Sequence, residues 1–285
     1  NGPGALVSVD SADGPEGEVI SLSSASAEVG ALRQAQPSEK AVLELKDGQT
    51  LTVGTLFVSE GAAPLCVRAA EGASASLSST TVQNGEVELG GSLTAGNVAV
   101  GALGRLVVNG GAVRAARIMG FPDGDDLDQV KSYVQNGGSV RSEGEDVRVG
   151  SVNGHGLFEL NGGLYESCGT VGYGGNGLMA FVQHGGLYSQ TNGSFGLYAK
   201  NGGFAHFCQR AGTFLSAGPG KDVFLSGGQD GGSAAWTIDG AGAVTRIRSA
   251  TDSRNFVVGG MYGSSTTGKD VQNMLNVNSG GTIHC

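Results

Sequence analysis

Residues 157–165 (LFELNGGLY), 180–188 (AFVQHGGLY) and 197–205 (LYAKNGGFA) are three copies of one pattern. Each is a short apolar run, a polar residue, a glycine doublet and a second apolar run. Runs of four or five residues are too short for helices and suit strands. Asn-Gly and Gly-Gly admit positive φ, so they turn the chain sharply. Each copy therefore reads as strand, tight corner, strand and looser return.

Outward from these copies the doublet recurs at Gly90-Gly91, Gly110-Gly111, Gly137-Gly138, Gly162-Gly163, Gly185-Gly186, Gly202-Gly203 and Gly227-Gly228, every 17 to 27 residues, and again at Gly280-Gly281. A unit this small buries no apolar face alone and must stack on the next copy. A leucine-rich repeat would need its Leu and Asn signature, and a propeller about twice the period. The expectation is an all-β chain, a right-handed parallel β-helix with short Gly-Gly corners.

The alignment places Tyr133, Phe158, Phe181 and Tyr198 four residues before successive doublets. Strands stack about 4.8 Å apart, so these rings should form one interior column. Asn109, Asn136, Asn161, His184 and Asn201 stand one residue before the doublet and should form a corner ladder like stacked amides in cross-β assemblies. Tyr165 and Tyr188 share a third position.

Alternation becomes clear from Ala41 through Leu45, the Asp47-Gly48 turn and Leu51 to Val58. The expected organisation is an N-terminal cap or leader-proximal segment in 1–40 and a β-helix in 41–285, with loop insertions near 121–129 and 248–270. The chain begins at Asn1 rather than Met, so removal of a leader is expected, and Cys285 at the end suggests a boundary or a longer parent chain.

Glycine is 53 of 285 residues without a three-residue period, which excludes collagen. The aliphatic content is too high for simple disorder. The net charge of −9 and the lack of a basic patch argue against nucleic acid as a partner. No apolar run has the length of a membrane-spanning helix. Cys66, Cys168, Cys208 and Cys285 fit no zinc or haem spacing and read as buried thiols. A Cys168–Cys208 bond would require the 17-residue unit to be less than a full coil.

Two constellations carry possible chemistry. Asp123, Asp125, Asp126 and Asp128 offer oxygen ligands suited to Ca²⁺, or they form a solvated acidic turn. Asp125-Asp126, Gly154-His155-Gly156 and Arg246-Ile247-Arg248 follow the order of motifs in polygalacturonase-type enzymes. There carboxylates would protonate the leaving group and activate water, and an Arg would hold a substrate carboxylate. The Asn-Thr-Asp element of those enzymes is missing, and the third motif has Arg for Lys. His206 with Cys208 and His284 with Cys285 are soft-metal pairs that nothing in the sequence brings together.

From residue 85 onward, the Asn-Gly-Gly units, the pairs Val149-Gly150, Val171-Gly172 and Val258-Gly259, and residues 277–282 (VNSGGT) resemble autotransporter-type passenger repeats. The resemblance implies an exported, extracellular or cell-surface β-helix acting as stalk, adhesin or matrix component. Its partners would be further copies of itself, end to end or laterally, or surface glycans and proteins. A polysaccharide-degrading β-helix enzyme and a non-catalytic glycan-binding module are the alternatives. The second requires Tyr165, Tyr188 or Trp236 to lie outside the core.

Overall fold

The computed structural model describes residues 6–9, 18–22, 24–34, 41–58, 65–82, 85–100, 104–120, 130–144, 146–149, 155–173, 176–218, 222–229, 231–248, 256–258 and 273–285. These contain strands and no helix. All strand pairings are parallel, in sheets of twelve, eleven and five strands. Each coil contributes one strand to the first sheet and one to the second, the arrangement of a parallel β-helix.

The ladders extend above residue 41. Glu18–Ser21 pairs with Ala41–Leu45, and Ser26–Gln34 pairs with Thr50–Val58, so residues assigned from sequence to a cap supply rungs to the same sheets. The early coils carry nine-residue strands, such as Thr50–Val58, Ser74–Val82 and Ser92–Val100. Each bends at a small residue. A Cβ on Gly54 would lie 2.5 Å from the Gly30 carbonyl oxygen, and one on Gly96 2.0 Å from that of Ser78. In later coils the bend becomes a break. Ser139–Ser142 stays in the first sheet, and Asp146–Val149 starts the third.

The lumen is filled by columns of like side chains. Tyr133, Phe158, Phe181, Phe207 and Trp236 succeed one another in the second sheet, all fully buried. Phe181 and Phe207 stack at 4.1 Å. Facing them in the first sheet run Tyr165, Tyr188 and Phe214, stacked at 5.4 Å with near-parallel planes. Phe207 rather than Tyr198 is thus the fourth ring. Tyr198 lies in Phe195–Lys200 of the third sheet. The Gly202-Gly203 doublet marks a different corner, between the third and second sheets, and the corner that follows Gly185-Gly186 is Ala211-Gly212.

The same displacement separates the amide ladder in two. Asn136 donates from Nδ2 to Asn109 Oδ1 at 2.7 Å, and Asn161 to Asn136 at 2.9 Å. Asn201 instead donates to Asn176 Oδ1 at the other corner. Cys168 likewise follows the first-sheet strand Leu164–Ser167, whereas Cys208 lies in the second sheet, opposite Val182 and Thr237. None of the four cysteines forms a disulfide. Cys66 is buried as expected, but Cys168 and Cys208 are only half-buried and Cys285 is exposed.

Candidate functional site

The acidic residues Asp123, Asp125, Asp126 and Asp128 lie outside the described residues, as does Gly154. His155 opens the second-sheet strand His155–Leu160 and is half-buried. Its Nδ1 accepts a hydrogen bond at 3.0 Å from the backbone N–H of Leu178 in the next coil. That bond satisfies a corner donor, so the imidazole has a structural task. Arg246 and Arg248 project outward from Ala243–Arg248 in the first sheet, both exposed. Three strand steps separate that strand from Leu164–Ser167, which belongs to the His155 coil. At about 4.8 Å per step, and on a different sheet, the arginines do not meet His155.

Expected sugar platforms are in the wrong place. Tyr165, Tyr188 and Trp236 are all core residues, with no ring face open to a glycan. Burial pushes the Tyr133 and Tyr165 hydroxyls well above the usual phenol range. Burial also lowers the His206 imidazole, which pairs through Nε2 with Thr237 Oγ1 at 3.0 Å. His206 and Cys208 alternate outward on one strand, while His284 and Cys285 sit at the last coil. No group of three or more metal-ligating side chains assembles among the described residues.

Comparison with known proteins finds no matching family, no similar curated protein and no similar solved structure.

Beyond these residues, the polar side chains are organised along the axis. On the outer face of the second sheet Glu44, Arg68 and Glu88 occupy successive rungs, with Arg68 Nε on Glu88 at 2.9 Å. One residue past each following strand come Asn109, Asn136, Asn161, His184 and Arg210. Asn109 Nδ2 donates to Glu86 Oε1 at 2.7 Å. The first sheet carries a second run. Arg114 meets Glu143 at 2.7 Å, and Arg141 bridges Glu143 and Glu166 at 3.2 and 2.8 Å. The Arg114 hydrogen bond, with Arg141 beside it, holds the Glu143 carboxyl below its ordinary range. Such exposed pairs contribute little individually, but they tie three consecutive coils on one face.

Inside, a column invisible to the repeat alignment carries the corners. Gln135, Gln183 and Gln209 are fully buried. Gln183 Nε2 donates to the carbonyls of Gly185, Gly186 and Thr213, and Gln135 Nε2 to those of Gly137, Gly138 and Leu164. Each reaches the turn of its own coil and the strand of the next. A signal was present: Gln183 stands two residues after Phe181, and strand side chains repeat with period two. An inward Phe181 therefore requires an inward Gln183.

Proposed function

We propose that this chain is an extracellular or cell-surface structural or adhesive β-solenoid, serving as a stalk, adhesin or matrix component. The observation that supports this reading is the use made of the polar side chains. Among the described residues they bond from coil to coil along the axis, through the Asn109–Asn161 ladder and the Arg114–Glu166 run, instead of converging on a cleft. Groups committed to stacking serve length and stiffness, as in other repeat arrays whose coils touch only their neighbours. The long outward faces are the surfaces offered to cell-surface glycans, to proteins or to another copy of the chain.

Reducing-end release from a panel of acidic and neutral polysaccharides, with and without Ca²⁺, tests the reading beside His155→Ala. The expected result is no release. Release that vanishes in the variant would overturn the scaffold reading in favour of hydrolysis at His155. Protease shaving of intact source cells tests location: the chain is expected to be lost from the surface, and complete protection would refute exposure.

A further inference from the structure

A void of about 40 Å³ lies in the lumen of the amino-terminal coils. It opens where the coil of residues 85–100 is thinnest, and Ala115 on the next rung of the first sheet is small as well. In the second sheet the inward column runs Ala41, Leu65, Gly85, Leu106, Tyr133, Phe158. Gly85 alone in that column has no side chain. The same coil continues into Ser92–Val100, where Ala95 follows the Leu77 of the coil before. Residues 85–100 therefore withhold side-chain volume from both walls at one level. Further along the axis the aromatic columns close the lumen, so the space does not recur there.

Thr80 gives this void a chemistry. It lines the space, is 5% exposed, and its Oγ1 is buried without a hydrogen-bond partner. The rest of the wall is aliphatic, from Leu65, Leu77, Val87 and Val113 among others. A buried water needs two to four polar partners, and one hydroxyl does not supply them. A wholly apolar guest would gain nothing from Thr80, whose hydroxyl would stay unpaired, whereas a guest with one polar atom relieves it. A charged guest would meet no counter-charge, because Glu86 alternates to the outward side of its strand, where its carboxylate accepts from Asn109.

We propose that this lumenal void is a binding site for a short neutral amphiphile, an aliphatic alcohol or ketone of about three or four non-hydrogen atoms, with its polar atom on Thr80 Oγ1. The chain takes such a molecule by burying its alkyl part against Val87 and Val113 and completing the hydrogen bonding of Thr80.

Methyl NMR of the intact chain, titrated with 1-propanol and with ethylene glycol, tests the site. The two probes have equal numbers of non-hydrogen atoms and differ in polarity. Saturable shifts at Leu77, Val87 and Val113 are expected with 1-propanol and none with ethylene glycol. Thr80→Val keeps the shape and removes the hydroxyl, and should weaken 1-propanol about fivefold, the loss of one net hydrogen bond. Gly85→Val fills the void and should abolish binding; Ala95→Leu does so from the opposite wall if the first variant does not fold. No saturable shift in the unmodified chain refutes the proposal. So do equal responses to both probes, an unchanged affinity in Thr80→Val, or shifts that survive in the folded filled variant.

Discussion

Leucine substituted for Gln183 and for Gln209 distinguishes two buried amides that look alike in sequence. Both Nε2 groups donate to corner carbonyls: Gln183 to three at 3.0 to 3.3 Å, Gln209 to Gly212 and Val244 at 3.1 and 3.0 Å. An amide has two N–H hydrogens, so each supplies at most two good bonds, together about 2 kcal/mol net. The oxygens differ. Gln183 Oε1 is buried without a partner, whereas Gln209 Oε1 accepts from Thr245 Oγ1 at 2.7 Å. Removing the orphan oxygen recovers a desolvation cost of about 1–3 kcal/mol, so Gln183→Leu should be nearly neutral, within about 1 kcal/mol of the unmodified chain in either direction. Gln209→Leu recovers nothing and orphans a buried hydroxyl, so it should cost about 3 kcal/mol. Leu160 already occupies this column between Gln135 and Gln183, which shows that the site accepts leucine. Urea unfolding followed by fluorescence of Trp236, the single tryptophan, measures the difference as a shift in midpoint at constant slope. Trp236 packs 4.5 Å from Phe207, beside Gln209. A Gln183→Leu cost equal to or above that of Gln209→Leu would refute the assignment of the two oxygens.

Three further outcomes are expected. Gly163→Ala should be severely destabilising, since φ is +77° and its Cβ would lie 2.2 Å from the Gly138 carbonyl oxygen, while Gly202→Ala at φ +81° has nothing within 4 Å and should cost only the backbone strain of about 1 kcal/mol; thermal melts separate the two. Phe181→Ala, which opens the middle of the ring column, should cost about 3–5 kcal/mol; Phe204→Ala on the outer face should cost clearly less, and equal chemical-denaturation midpoints would contradict the inward and outward placement. Tyr133 and Tyr165 have raised folded pKa values, so the stability they confer is full below the free phenol value of about 10 and is lost as pH rises beyond it. A phenolate absorbance change from these two rings should therefore accompany alkaline unfolding, and titration of both in the folded chain would contradict their burial.

The period of the glycines made the fold legible, but it overcounted the corners. In the regular corners the demanding position is the second glycine: Gly111, Gly138, Gly163, Gly186 and Gly212 all have positive φ. The first is glycine in four of these coils but alanine at Ala211, so the fifth corner escaped a search for doublets. Gly202-Gly203 passed that search while serving another corner. The rings were legible because hydrophobicity and period two agree, and Phe207 was missed only through this shift of frame. The glutamines were hidden because a polar residue before a turn reads as solvent-facing. Gly-His-Gly pointed to catalysis, yet His155 accepts the Leu178 amide. The void had no sequence signal, since Gly85 is one glycine among many and its meaning depends on which rung it faces.

The amide column has a sense as well as a spacing. Asn161 donates to Asn136, Asn136 to Asn109, and Asn109 to the Glu86 carboxylate, always toward the amino end, and Asn201 donates to Asn176 the same way. Dipoles aligned head to tail polarise one another, strengthening each bond by about 10–30%. The donor end terminates on an anion, as the amino end of an α-helix favours one. Turning one amide over would set donor against donor on one side and acceptor against acceptor on the other, so an error at one rung is felt at two. The column therefore works as a vector: it marks which way along the axis the next coil must be laid.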